Sequence, residues 1–179
     1  MKLHKVNDEV FVAEDSIVRL GDDEIAFLKR QARSNPRKRA RICAHKTNAD
    51  ALHEMVIAIA ATSYIHPHRH IGKSESFHII EGLVDVAVFD DAGRVIDVIE
   101  LGEPGSGRNF FYRLSESTFH TLLIRSDFLV VHEVTNGPFD PDRSVLAPFA
   151  PREGDAAKVQ AYMKNVAEQV ARQVHGLSS

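Results

Sequence analysis

His66-Pro67-His68-Arg69-His70-Ile71-Gly72-Lys73-Ser74-Glu75-Ser76-Phe77-His78-Ile79-Ile80-Glu81-Gly82 is the stretch that decides the fold of this chain. In an extended backbone, residues two apart project from one face, so His68 and His70 aim their imidazoles at a common point. Gly72-Lys73-Ser74 then offers a turn, and Glu75 opens a new strand from which its carboxylate can reach the same point. Two neutral imidazoles and a carboxylate form a mixed nitrogen and oxygen donor set suited to a divalent metal ion. His66 is in phase with the pair, so a pairing of His66 with His68 is the alternative, though the spacing to Glu75 favours His68 and His70. Gly82 falls where the second strand must turn sharply into the third, a place where a residue without Cβ costs least. Histidines outside the stretch, such as His4, His45 and His53, read as ordinary surface or core side chains.

Working outward, short β-rich runs occur at Met55–Ile59, Ser76–Ile80, Leu83–Phe89, Arg94–Leu101, Phe110–Leu114, His120–Ile124 and Phe128–Thr135. Such runs without intervening helices predict a mainly β fold, a sandwich or barrel. Asp90-Asp91-Ala92-Gly93 supplies the turn of a hairpin, so the strands on either side are expected to be antiparallel neighbours. Phe110 and Tyr112, and Val84, Val86 and Val88, read as barrel core. Pro138-Phe139-Asp140-Pro141 interrupts any further strand, which bounds the barrel at about 51–141.

Ahead of it, Gly21-Asp22-Asp23-Glu24 followed by apolar residues predicts a helix over about 22–34 within an N-terminal extension, residues 1–50. Behind it, Val159, Tyr162, Met163, Val166 and Val170 recur at three- and four-residue intervals. They predict an amphipathic helix over about 155–174 in a C-terminal segment, 142–179, whose apolar stripe serves core or dimer packing.

The chain has 179 residues, 44% of them hydrophobic, enough for one sizeable core. With 22 Lys+Arg against 25 Asp+Glu the formal net charge is −3, which argues against nucleic-acid and membrane partners. The basic run Arg37-Lys38-Arg39-Ala40-Arg41 lacks interleaved aromatics and reads as a solvated face or, more sharply, a site for phosphate or carboxylate. A single cysteine, Cys43, and the lack of an apolar leader or an eighteen-residue apolar run point to a cytoplasmic protein.

From His68 to Gly82 the spacing His, one residue, His, four residues, Glu, six residues, Gly resembles the first motif of the cupin superfamily. That resemblance implies a single cupin domain, a double-stranded β-helix or jelly-roll barrel flanked here by an N-terminal and a C-terminal helix. It also implies a fourth ligand from a second motif, which would be His120 in Ser115-Glu116-Ser117-Thr118-Phe119-His120-Thr121; Ser115-Glu116-Ser117 stands where cupins usually carry Pro-x-Gly. A closer likeness is to the WbuC-type cupin-fold metalloproteins associated with O-antigen and polysaccharide clusters. It rests on Arg39-Ala40-Arg41, Pro67-His68-Arg69-His70, Phe89-Asp90-Asp91-Ala92-Gly93-Arg94, Gly137-Pro138-Phe139-Asp140-Pro141 and Ala147-Pro148-Phe149-Ala150-Pro151.

Three histidines and one glutamate leave open positions on a five- or six-coordinate ion, which admits iron, manganese, nickel, cobalt or zinc. Metal-dependent isomerisation, ahead of dioxygenation, is then the expected activity, with a sugar or sugar-nucleotide derivative implied as substrate by the WbuC resemblance alone. A non-catalytic metallo-cupin that binds or senses a small molecule is the alternative. Candidate general bases are His66, His78 and Glu133, although His78 has odd parity relative to Glu75. Arg69 and Lys73 flank the ligands and either bind a substrate carboxylate or phosphate or are simply solvated; Arg113 and Arg41 carry the same two readings. Exposed strand edges and the terminal helix suggest a homodimer.

Overall fold

Alternation along the strands sorts the chain into two sheets facing one another across an apolar interior. The computed structural model describes residues 1–176. In chain order they form β1 (Leu3–Lys5), β2 (Val10–Ala13), α1 (Asp22–Ser34), β3 (Arg39–Cys43), β4 (Leu52–Ala60), β5 (His68–His70) and β6 (Glu75–Glu81). Then follow β7 (Leu83–Phe89), β8 (Val95–Gly102), β9 (Phe111–Leu114), β10 (Phe119–Ile124), β11 (Phe128–Asn136), β12 (Ser144–Leu146) and α2 (Ala156–His175). One sheet runs β1-β2-β3-β4-β11-β6-β9 and the other β12-β5-β10-β7-β8. All paired strands are antiparallel except β2 and β3. This is the jelly-roll arrangement of the cupin fold, with a helix laid on the outside of each sheet.

Inward-facing residues such as Ile79, Val84, Val86, Leu122, Leu129 and Val131 make one core between the sheets. Outward-facing residues of the first sheet, among them Ala40, Ile42, Val56, Ala58 and Val130, pack under Leu28 and Ala32 of α1. Those of the second, including Ala87, Phe89, Phe119 and Leu123, pack under Val166 and Val170 of α2. The stripe Tyr162, Met163, Val166 and Val170 is therefore core packing, each fully buried aliphatic side chain contributing about 1.5–3 kcal/mol. Glu24 reaches back to accept from the Gly21 N–H (3.0 Å) at the start of α1. Asn35 ends that helix, donating its side-chain amide to Gln31 O (3.1 Å) and Arg39 O (2.6 Å) ahead of the turn into β3.

The Asp90–Gly93 turn joins β7 and β8 as an antiparallel hairpin. At Gly82 the φ is +90°, and a Cβ there would stand 2.2 Å from Phe128 O, so only glycine fits between β6 and β7.

The bounds of the barrel are wider than 51–141. Residues 1–50 give β1, β2 and β3 to the first sheet, and β12, beyond 141, pairs with β5. These strands have only three to five residues, too few for alternation to register. In β3, Arg39, Arg41 and Cys43 face the interior side while Ala40 and Ile42 face α1, so a strand with two arginines resembles a basic run. Arg37 and Arg39 are bound up with Glu9 and Glu153 across N–O distances of 3.0–3.6 Å.

Candidate metal centre

The turn through Gly72 folds β6 back so that Glu75 returns to the level of His68 and His70, while β10 brings His120 beside His68 in register. One ligand atom from each of His68, His70, Glu75 and His120 lies within 4.8 Å of the others. His70 Nε2 stands 3.2 Å from Glu75 Oε2, and His120 Nε2 stands 3.5 Å from Glu75 Oε1. The absence of Pro-x-Gly does not misplace His120, because the ladder of β10 with β7, His120 opposite Val88, fixes it.

Each imidazole is held from behind. His68 Nδ1 lies 2.9 Å from His66 O, His120 Nδ1 lies 3.0 Å from Thr118 O, and His70 Nδ1 lies 3.2 Å from Ser144 Oγ of β12. Anchoring Nδ1 leaves Nε2 of all three rings to face the common centre, the arrangement that metal-binding histidines require. Tyr112, on the inner face of β9, donates its hydroxyl to Glu75 Oε1 (2.7 Å) and so orients the carboxylate. The donor set fits one divalent transition metal, with three imidazole nitrogens and one carboxylate.

The electrostatics agree with such a demand. Burial pushes His68 down to about 4, reinforced by the neighbouring His120. Burial alone would raise Glu75, but hydrogen bonds from His120 and His70 outweigh it and hold the carboxyl well below the usual range. For His120, burial pulls down while the Glu75 carboxylate pulls up more strongly, and the net direction is upward. A cluster that keeps Glu75 ionised and His68 neutral is ready for a cation. The side chain of His120 is 2% exposed and that of Glu75 5%, whereas His70 is 21% exposed, so the centre opens to solvent on the β5 side.

The other site candidates separate by face. Glu133 of β11 lies in an inner-face row, paired with Met55 on one side and Phe77 on the other, with Cys43 and Tyr112 next along it. It is half-buried and its carboxyl finds no hydrogen-bond partner among the described residues. Burial, then the Glu75 charge, pushes it up to about 8. His78 sits on the opposite face of β6, exposed and tilted against Phe110 with ring centroids 5.5 Å apart, away from the cluster. His66 turns its ring toward Tyr64 and presents only its backbone carbonyl to His68, so the pair that joins the cluster is His68 and His70 and not His66 and His68.

Arg69, between the two ligands, points to the outer face, where it bonds Asp91 (3.1 Å) and covers the Phe119 ring at 4.4 Å. Lys73 donates to Pro138 O (2.7 Å), and Arg113 to Ser74 Oγ (3.0 Å) and Ser115 Oγ (3.2 Å). Tyr112 and Ser144 escape a sequence reading. One is hidden in an alternation that looks like pure core, and the other lies past a proline pair that looks like the end of the barrel. A concavity of about 680 Å³ lined by Met1, Asp15, Ile17, Leu20 and Glu24 shares no residue with the cluster and brings together no comparable donor set.

The fold is a cupin-like jelly roll, and it carries a constellation that could hold a metal ion. The family described as a domain of unknown function, DUF6016, matches residues 20–101, which carry His68, His70 and Glu75 but not His120. Among solved structures, the chain is similar to protein SO0799 from Shewanella oneidensis at 13% identity, over 87% of this chain and 97% of that one, with a TM-score of 0.55. KdgF from Halomonas sp. aligns at 15% identity over 61% of this chain and 86% of that one (TM-score 0.45). The cupin domain of Schizosaccharomyces pombe Cnp3 aligns at 11% over 55% and 64% (TM-score 0.43). Among curated protein sequences, none matches the chain. No helix among the described residues is long and apolar enough to cross a membrane.

Proposed function

We propose that the chain is a metal-dependent enzyme of isomerase type, moving a proton at a carbon next to the carbonyl of a small oxygenated substrate. The observation that carries this is Glu133, an unpaired carboxyl on the inner face beside the cluster. A bound divalent ion would polarise the substrate carbonyl and stabilise negative charge developing on its oxygen. On an α-hydroxy carbonyl substrate, Glu133 takes the proton from the α carbon and delivers it to the former carbonyl carbon while the hydroxyl proton passes to the former carbonyl oxygen, a task suited to a carboxyl whose affinity for protons lies near neutrality. Met55 and Phe77 flank that carboxyl on the inner face.

Returning a proton to carbon is a task that isomerisation has and oxygenation lacks, which favours the first over the second. The WbuC resemblance supports a sugar or sugar-nucleotide substrate in polysaccharide biosynthesis, and the lone buried thiol of Cys43 suits a cytoplasmic setting. A homodimer is supported by the edge strand β9, where Phe111 and the preceding Phe110 are about half exposed.

The test is solvent exchange. Keto acids and keto sugars incubated in D₂O with metal-reconstituted protein should acquire deuterium at the α carbon, read by proton NMR. Glu133→Gln should slow this by at least ~100-fold at unchanged metal content. Exchange at the wild-type rate in that variant would remove Glu133, and the isomerase reading with it.

A further inference from the structure

Four basic side chains were candidates for holding an acidic group, and the structure disposes of three. Arg69 is spent on Asp91 and Phe119 on the outer face, Lys73 on a backbone carbonyl, and Arg113 on two serines. Within the basic run, Arg37 and Arg39 are held by Glu9 and Glu153, and Lys38 donates to Arg33 O (2.8 Å). Arg41 differs from all of these. It stays exposed, and no carboxylate lies within ion-pair distance of it among the described residues.

Its place in β3 is also distinctive. Two residues from Cys43, it shares that residue's face and sits between Val10 of β2 and Ile57 of β4. Its positive charge is felt at both Cys43 and Glu133, which share its face of the sheet. Cys43, Met55 and Glu133 are successive members of one cross-sheet row, so Cys43 and Glu133 are roughly 10 Å apart at the backbone. Glu133 in turn feels both Glu75 and His120. A line therefore runs along the inner wall from an unneutralised cation, past an unpaired carboxyl, to the metal centre.

We propose that Arg41 anchors the substrate by its anionic group, so that the site selects small molecules carrying a carboxylate or phosphate at one end and metal-directed oxygens at the other. The claim rests on the metal-site reading and adds the charge of the substrate to it. A guanidinium presents a planar fork of donors that matches either oxyanion. With its acidic group there, a molecule spans Glu133 and sets its reacting carbon beside that carboxyl.

Calorimetric titration of the metal-loaded protein with malonate, inorganic phosphate and malonamide tests this, the two anions separating a carboxylate site from a phosphate site. At least one anion should bind and malonamide should not. Arg41→Gln should weaken that binding tenfold or more at unchanged metal stoichiometry, Arg41→Lys should restore part of it, and Arg30→Gln, on the exposed side of α1, should change nothing. Equal affinity in Arg41→Gln, equal binding of malonamide, or no binding of either anion overturns the proposal. Elemental analysis keeps the two claims apart. Wild-type protein that binds malonate through Arg41 yet retains no metal would sink the enzyme reading alone, whereas full metal with no dependence on Arg41 would sink the anchor alone.

Discussion

The two ends of the barrel interior are built by the same strands and have opposite character. Along β6 the inner face reads Glu75, Phe77, Ile79; along β10, His120, Leu122, Ile124; along β11, Leu129, Val131, Glu133. One end is dry, with Ile79, Leu129 and Val131 wholly buried, and the other gathers three imidazoles and two carboxyls. Burying so many polar groups is costly unless each finds a partner. The apolar end supplies the stabilisation that lets the polar end keep His68 neutral and Glu133 unpaired. Function in this fold is thus a gradient along each strand.

Breaking the polar end alone should have the largest effect on ligand content and little on folding. Replacing both His68 and His70 by Ala should abolish stoichiometric metal binding, measured by elemental analysis, while circular dichroism remains that of a folded β protein; a double variant that still holds one equivalent of metal would place the ion elsewhere. Breaking the dry end should do the reverse. Leu129→Ala should cost about 2–5 kcal/mol in denaturant unfolding with metal stoichiometry retained in the folded protein.

The smallest expected effect sharpens the boundary between the ends. Glu133 binds its proton more tightly when folded, near 8 against an ordinary value of 4.5. Between those values the native state holds a proton that the unfolded chain has lost, so the metal-free protein loses stability as pH rises from about 5 to 8. Glu133→Gln should flatten that slope and leave the variant more stable at pH 8 by about 1–2 kcal/mol, a figure kept below full conversion because solvent reaches the site. An unchanged slope in thermal melts across that range would mean that Glu133 titrates as an ordinary surface carboxyl.

Much of this was legible in the sequence where a pattern was long enough to repeat. Leu83–Phe89 is a seven-residue β-rich run bounded by Gly82 and the Asp90–Gly93 turn, and the acidic start of α1 marks Asp22 as its first residue. The spacing of His68, His70 and Glu75 converts directly into geometry because parity along a strand fixes the face. Parity also tells against His78. What was not legible depended on partners distant in sequence. Nothing local tells Tyr112 apart from any other core aromatic until β9 is laid beside β6, opposite Phe77. Ser144 acquires meaning only when β12 closes on β5, and Arg41 only when its neighbours' charges are seen to be already matched.

The position of β12 has one more consequence. Sheet order places it outside β5, so the three-residue ligand strand lies between β10 and β12 and has no free edge. During synthesis on the ribosome, His68, His70 and Glu75 emerge well before either His120 or Ser144. Until those later residues arrive, the early ligands belong to an unfinished sheet whose exposed amides invite the wrong neighbour. The full second support of the cluster, Ser144 behind His70, is therefore assembled only after translation has passed Leu146.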